Sequence, residues 1–501
     1  MSDITTFFGN KGYAIIKEYL PKKELELIKK ELTVTPFVPK TSINKPNPFY
    51  VYRESKTKIF MPKFYGIENY GEPDADLLSP GETIDLKFNG ELRDYQVPIV
   101  DSYIKAAKTV GGGLLEIYAG AGKTCMGLNI ISKLKVKTLI VVHKEFLLRQ
   151  WIERIQQFLP HAKVGKLQSD TIDIEGKDIV IGMLQSISMR EYEKKIYKCF
   201  GLTIYDECHH VSAEVFSRAL FNVTTKYTLG LSATMNRKDG LTKVIKMFLG
   251  DVVYKLERKN THNVVVKAIY YESEDEEFSA TELNFKGQTH YSKMIKKLCE
   301  FSYRTEFVLD VLKNILANDD GNQQIIILGH NKNLLKYLHD AIDHRNISTV
   351  GYYIGGMKEE QLKESETKKV IIGTYAMAEE GLDIKTLTTL IMATPRVDVT
   401  QAVGRILRKK QSQAEVYDIV DQHPVFQRHF AKRKTFYRKQ NFSIIRSNNK
   451  VFNKNQWETI YDPKQKKLKF KKKGGKQGST KIKIKTETSD NDPFMRGKCL
   501  I

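Results

Sequence analysis

From about residue 112 onward, short runs of consecutive apolar residues alternate with longer stretches whose apolar positions recur every three or four residues. The short runs read as strands covered on both faces, and the longer stretches as amphipathic helices. Strands are predicted over 114–118, 138–142, 179–181, 202–205 and 227–231. The pattern returns beyond an acidic patch (Glu272, Glu274–Glu277), with strands over 324–328, 350–353, 370–373, 387–392 and 414–419. Such alternation predicts an α/β fold, a parallel sheet with helices on both faces. Its repetition predicts two similar α/β units in series, with a cleft between them.

The flanks read differently. Residues 13–32 carry a helical pattern interrupted at Pro21, followed by a Pro-rich aromatic stretch over 36–71. Within that stretch, 49–53 and 58–61 read as short strands in which basic and aromatic residues alternate. Such a segment could stack bases; a small domain packing its own aromatics accounts for it better. Beyond 440 the chain turns polar, and residues 464–485 hold eleven lysines and no acid. A core cannot be built from that composition, so a largely disordered tail is expected. The resulting division is an accessory domain over 1–88, α/β domains over 89–258 and 259–440, and a lysine-rich tail over 441–501.

Charge sharpens the picture. The 501 residues carry 81 Lys and Arg against 59 Asp and Glu, a net +22. Residues 431–501 hold 21 of those basic residues and 5 of the acids, so most of the excess sits in the tail. A polyanion is the expected partner, and nucleic acid fits better than a membrane because no apolar helical face accompanies the lysines. The alternative is a solvated tail. The longest apolar runs are far too short to cross a bilayer, and no signal-like apolar region follows the N-terminus. The five cysteines form no CxxC pair, which argues for a reducing, intracellular setting and against a zinc site.

Three constellations carry chemistry. Gly120-Ala121-Gly122-Lys123-Thr124 follows a predicted strand and opens a helix. Glycines there let backbone N–H groups close on phosphate oxygens, Lys123 reaches the β/γ-phosphates and Thr124 ligates Mg²⁺. The bland reading is an ordinary helix-start turn. Asp206-Glu207-Cys208-His209 ends a later strand; Asp206 can hold the metal and Glu207 can polarise an attacking water. An acidic pair capping the next helix is the alternative, whereas a zinc site lacks the ligand spacing. Arg405 and Arg408 share a helical face in the second unit, suited to neutralising charge on a γ-phosphoryl across a cleft, or to a solvated face.

In order, the chain shows Leu92-Arg93-Asp94-Tyr95-Gln96, the Gly-x-Gly-Lys-Thr loop, Asp-Glu-Cys-His, Ser232-Ala233-Thr234, a Thr374–Ile384 stretch and Gln401-x-x-Gly-Arg405-x-x-Arg408. This arrangement closely resembles superfamily-2 DExH helicases from about Arg93 to Arg408. Asn236-Arg237-Lys238-Asp239 is similar to the Arg-x-Asp element of excision-repair (XPB-type) helicases. The size, the N-terminal extension and Met61-Pro62-Lys63-Phe64-Tyr65-Gly66 resemble the transcript-release helicases of large eukaryotic DNA viruses, the poxvirus type. The resemblance implies two tandem RecA-like domains and an ATP-driven, Mg²⁺-dependent motor on nucleic acid. DNA is favoured over RNA, with the transcription machinery as a further partner and a viral factory, virion or nucleus as the site of action.

By the same resemblance, Arg93 and Gln96 would recognise adenine, and Gly120, Ala121, Gly122, Lys123 and Thr124 would cradle phosphates and metal. Asp206 would bind the metal and Glu207 would be the base. His209 with Ser232, Ala233 and Thr234 would couple hydrolysis to the nucleic-acid groove. Gly381, Asp383, Gln401, Arg405 and Arg408 would complete the site from the second domain. Gln185, Ser186, Arg237 and Thr374, with the loop after Val142 and 329–331, would contact nucleic acid. An ATP-dependent RNA helicase and a non-stepping ATP-gated clamp are the rival expectations.

Overall fold

The computed structural model describes residues 4–464, apart from 38–45, 119, 209–212, 236–239, 258–263, 320, 322, 381–383, 385 and 408–412. The predicted sites His209, Arg237, Gly381, Asp383 and Arg408, and the lysine-rich stretch from 465 on, lie outside the described residues.

Two eight-stranded sheets dominate, and both are parallel apart from one outer strand pair. The first runs, edge to edge, Thr171–Ile172, Val164–Gln168, Ile179–Met183, Thr138–Val142, Leu202–Asp206, Tyr227–Ser232, Gly112–Ile117, Val252–Leu256. The second runs Val350–Tyr353, Val370–Thr374, Gln324–Gly329, Leu387–Met392, Ala414–Asp421, Val264–Tyr271, Ser443–Asn448, Glu458–Tyr461. The strands Thr138–Val142, Ile179–Met183 and Leu387–Met392 are buried throughout because helices cover both faces of the sheets. The fold is thus α/β with two parallel-sheet units in tandem, as the alternation predicts, and these are the two RecA-like domains that the resemblance implies.

Three expectations need correction. Residues 13–16 belong to a strand, Gly12–Ile16, and only Lys22–Glu31 is α-helix. Gly12 decides this: its φ of +98° closes a hairpin with Thr6–Gly9, and a Cβ there would lie 2.3 Å from the Met61 carbonyl oxygen. Tyr13 and Ala14 are both fully buried, so the strand has no polar face to betray its period. Residues 84–86 pack into the first RecA-like core through Ile84 and Leu86, on the far side of the boundary placed at 88. The second sheet continues past 440 through Tyr461, since Phe442, Ile444 and Phe452 bury enough apolar surface to hold outer strands in a polar stretch.

The N-terminal unit packs on the first RecA-like domain through two cations. Lys63 is buried and its Nζ donates to the Lys226 carbonyl at 2.9 Å and the Gly111 carbonyl at 3.5 Å. Burial pushes its ammonium down to about 8. Arg53 donates to Asn222 Oδ1 at 3.0 Å, its guanidinium 5.0 Å from the centre of the Phe221 ring. Phe49 and Val51 are buried, so the basic–aromatic segment mostly packs inward, although Tyr50 is exposed.

The second domain contains two buried Arg–Asp pairs on the Ala414–Asp421 strand. Arg433 forks onto Asp418 at 2.8 and 2.7 Å, and Arg304 grips Asp421. Their remaining donors reach the carbonyls of Arg396 and Ala393 at 2.6 and 2.8 Å, and Tyr437 donates to Asp418 at 3.0 Å. All four charged side chains are fully buried, so each charge depends on its partner.

Candidate functional site

The loop between the Gly112–Ile117 strand and the Lys123–Leu134 helix turns on two left-handed glycines, Gly120 at φ +86° and Gly122 at φ +87°. A Cβ at Gly122 would lie 2.5 Å from Gln96 Nε2. Gln96 is buried, and its amide works as a brace: Nε2 donates to the Ala121 carbonyl at 2.8 Å while Oε1 accepts from Arg93 N–H at 2.9 Å. Tyr95 O–H reaches the same Ala121 carbonyl at 3.1 Å and accepts from Arg93 Nη1 at 3.1 Å. The residues expected to read adenine therefore also hold the phosphate loop in shape.

Opposite that loop, the Leu202–Asp206 strand delivers its acids. Lys123 Nζ lies 2.9 Å from Glu207 Oε1, with the two side chains 10% and 17% exposed. Asp206 is buried; its Oδ2 accepts from Trp151 Nε1 at 2.9 Å and its Oδ1 from Glu207 N–H at 2.9 Å. Burial, then the neighbouring Glu207 charge, push the Asp206 carboxyl up to about 6, against the pull of Lys123. Glu207 holds φ +48°, an uncommon conformation for a residue with a Cβ and one that collects at functional turns. Thr124 stands half-buried at the start of the helix. Positive-φ glycines opening a helix, a lysine and a metal-ready carboxylate in one recess fit a Mg–nucleoside triphosphate.

Trp151 is the contributor that sequence reasoning missed. It lies on the Glu145–Phe158 helix, whose 14 residues read only as an amphipathic segment. Its ring packs over Gly127, where a Cβ would come within 3.0 Å. One signal was available: it is one of two tryptophans in the chain, and a buried indole N–H demands an acceptor.

The segment expected to couple hydrolysis to nucleic acid is joined to the acids directly. Cys208 N–H donates to the Leu231 carbonyl at 3.3 Å, beside Ser232, whose Oγ donates to the Thr234 carbonyl at 2.6 Å and accepts from Thr234 N–H at 3.2 Å. Ala233 sits inside that closed turn. On the same sheet edge, Gln185 Nε2 donates to the His143 carbonyl at 3.0 Å, and Ser186 Oγ accepts from Ser169 N–H at 3.0 Å. The loop after Val142 and the Gln185-Ser186 pair, 42 residues apart in sequence at Gln185 and His143, are thereby one surface.

In the second domain Thr374 ends its strand and accepts from Met377 N–H at 3.4 Å. Arg405 Nε donates to the Ala378 carbonyl at 2.7 Å, tying the Thr400–Arg405 helix, which also carries Gln401, to the segment after Thr374. Asn331 caps the Lys332–His344 helix through its side chain. Beside these residues, His330 of the expected 329–331 contact and Tyr375 of the Thr374–Ile384 stretch meet two residues that sequence reasoning did not single out, Thr394 and Arg396: His330 Nδ1 meets Thr394 Oγ1 at 2.7 Å, Tyr375 O–H donates to the Thr394 carbonyl at 2.6 Å, and Arg396 stands 5.1 Å over the Tyr375 ring. Among the described residues, no group of three or more His, Cys, Asp or Glu side chains is placed to hold a metal.

Comparison with known proteins decides the family. Residues 89–237 match the family described as type III restriction enzyme, res subunit. Over 458 residues the chain is 35% identical to the putative ATP-dependent RNA helicase L396 of Acanthamoeba polyphaga mimivirus, covering 88% of this chain and 87% of that protein. The chain belongs to the superfamily-2 helicases. It is 26% identical to the putative helicase 161L of invertebrate iridescent virus 6, over 71% of this chain and 83% of that one. With the putative ATP-dependent RNA helicase QP509L of African swine fever virus it shares 27% over 66% of this chain and 69% of that one. The protein is an ATP-hydrolysing helicase that uses ATP and Mg²⁺ and acts on nucleic acid. No helix among the described residues is long and apolar enough to cross a membrane.

Proposed function

We propose that this helicase hydrolyses ATP to move along and separate the strands of DNA, its two RecA-like domains closing on the nucleotide and reopening after hydrolysis. One observation carries the reading: Lys123 and Glu207 pair at 2.9 Å directly beside the buried Asp206. In this arrangement Lys123 holds the catalytic carboxylate in reserve. On nucleotide binding Lys123 turns to the β/γ-phosphates, and Glu207 is left to orient the attacking water. Asp206, kept in place by Trp151, and Thr124 would hold the metal, which supplies charge neutralisation at the phosphates. Gln401, Arg405 and Arg408 complete the site from the second domain when the lobes close, with Gly381 and Asp383 alongside. His209 and Ser232–Thr234 would pass the change to the residues expected to contact nucleic acid, Gln185, Ser186, Arg237 and Thr374.

DNA is favoured because the Asp-Glu-Cys-His and Gln-x-x-Gly-Arg motifs with the Arg-x-Asp element resemble DNA translocases. RNA is the second reading, favoured by the names of the mimivirus and African swine fever virus relatives, which are putative ATP-dependent RNA helicases. The setting we propose is transcript release or repair in a viral factory, since these relatives come from large DNA viruses. ATPase rates measured with single-stranded, duplex and forked DNA and with RNA, at two salt concentrations, test the choice. Stronger stimulation by DNA is expected; stimulation by RNA alone would move the assignment to RNA.

A further inference from the structure

The N-terminal unit meets the first RecA-like domain along a seam that holds a cavity of about 230 Å³. One side is formed by Asn10, in the turn after Thr6–Gly9, and by residues 77–79. The other comes from residues 194–200 and from the end of the Ala213–Asn222 helix. The seam is closely built. Glu82 N–H donates to the Cys199 carbonyl at 2.8 Å, and a Cβ at Gly81 would lie 2.1 Å from Gly201 N. Phe200 and Thr224, both in the lining, shortly precede the strands Leu202–Asp206 and Tyr227–Ser232. The cavity therefore stands at the opening ends of the strands whose far ends carry Asp206 and Ser232, a strand's length from the nucleotide recess.

Its lining offers donors and no acid. Asn10, Lys194, Tyr197, Lys198 and Thr224 all face it, and none of these five side chains has a hydrogen-bond or ion-pair partner among the described residues. A 3-10 turn over Lys194–Tyr197, with Lys198 N–H donating to the Lys195 carbonyl at 3.2 Å, brings three of them to one wall. The neighbouring acids are engaged elsewhere: Glu193 pairs with Lys195 at 2.5 Å, and Asp76 Oδ1 accepts from Leu78 N–H at 3.0 Å. Two further cations stand close. Arg53 donates to Asn222, itself in the lining, at 3.0 Å, and Lys11 follows Asn10 in the chain. Burial, then the Lys194 and Arg53 charges, hold the Lys11 ammonium below the usual lysine range. Four cations around a cavity without a carboxylate repel one another until an anion joins them.

The donor set also selects the anion. A carboxylate has two oxygens and one charge, whereas a phosphate monoester has three terminal oxygens and close to two charges. Donors from three separate segments, two of them ammonium groups, match the second. Leu77, Leu78 and Phe200 give the cavity an apolar flank for the carbon side of the ester. The volume falls below the roughly 300–1,000 Å³ of sites for drug-sized ligands, so it admits one such group and no length of strand. We infer that this seam is a second phosphate site, which binds a terminal phosphate monoester carried by a free nucleotide or by the phosphorylated end of a nucleic-acid strand. Its occupation ties the N-terminal unit to the first RecA-like domain. The site is separate from the helicase chemistry and needs no hydrolysis.

The test is calorimetric titration of the full-length chain, with its nucleotide recess saturated by Mg²⁺ and a non-hydrolysable ATP analogue. The probes are thymidine monophosphate and a thymidine dinucleotide with and without a 5′-phosphate. The parent should bind the two phosphorylated probes and not the 5′-hydroxyl dinucleotide. Lys194 and Lys198 are exposed, so the double variant Lys194→Ala, Lys198→Ala should keep the parent's melting temperature while losing affinity roughly tenfold or more. Lys195→Ala, adjacent but outside the lining, should stay within about twofold of the parent. Thr224→Val leaves every charge in place and should weaken binding by a smaller factor than the double variant. Tighter binding of the phosphorylated dinucleotide would assign the strand end, and equal binding of the two phosphorylated probes the free nucleotide. No binding by the parent, equal affinity in parent and double variant, or equal binding of the 5′-hydroxyl dinucleotide would overturn the site. So would binding of a phosphoserine peptide alone, which would give the seam to a protein partner.

Discussion

Glu207 shows how much chemistry one residue concentrates here: a left-handed backbone, an ion pair to Lys123 and a buried carboxylate immediately before it. Glu207→Gln should keep ATP binding while turnover falls on the order of 10²–10⁴-fold, because the water loses its base but the phosphate cradle stays. Lys123→Ala should instead weaken nucleotide binding itself; equilibrium binding beside steady-state turnover separates the two. Asp206 adds a pH dependence with a definite sign. Its folded carboxyl titrates near 6, above the ordinary Asp value of 3.8, so the folded metal-free protein takes up a proton before the unfolded chain does. This group therefore costs stability above about pH 6, and the cost fades as pH falls from 6 toward 4. Asp206→Asn should raise the melting temperature of the metal-free protein at pH 7.5 and flatten that segment of the pH profile. A lower melting temperature at that pH would remove the assignment of an uncompensated buried charge. The motif residues stood out because glycines, a lysine and paired acids recur at a marked spacing, and the structure brings Lys123, Asp206 and Glu207 together. Trp151 did not stand out, since an indole on an amphipathic helix reads as core until its N–H partner is seen.

At the scale of elements, legibility followed burial. The five strands of each predicted set are short, largely apolar runs, and the structure keeps every one of them within a few residues of the expected bounds. The outer strand Val164–Gln168 alternates buried and half-buried positions around a lysine, and Ser443–Asn448 presents mostly polar residues, so neither carried a strong signal. Pairing to a neighbouring strand supplies what their own pattern lacks. Gly12–Ile16 failed the other way: buried on both faces, its apolar run could pass for the start of a helix. The buried Arg–Asp pairs give this scale its prediction. Arg433→Met should destabilise the second domain by about 3–5 kcal/mol, because Asp418 is left buried without its partner. Adding Asp418→Asn should recover part of that loss, as read by denaturant unfolding. Equal loss in the single and double variants would mean that packing, not charge, is what Arg433 supplies.

For the whole molecule, charge distribution and domain order meet. Residues 464–485 are rich in lysine without acids, whereas each catalytic motif ends by Arg408. Removing residues 465–501 should leave saturated ATPase nearly unchanged and lower nucleic-acid affinity. The salt slope of log K should shrink by about 0.7–0.9 for each phosphate that the tail no longer neutralises. An unaltered slope would assign the stretch to a protein partner or a targeting signal. The sequence could announce the order of the units but not how the first one seats, because Lys63 and Arg53 look like surface cations until carbonyls and an aromatic ring surround them. The central claim, that Glu207-dependent ATP hydrolysis drives strand separation, is tested most directly by measuring strand displacement and phosphate release together on one forked DNA. The parent should displace the strand only with ATP and Mg²⁺, and Glu207→Gln should bind the fork and ATP yet release neither strand nor phosphate. Stimulated phosphate release without any displacement by the parent would contradict it.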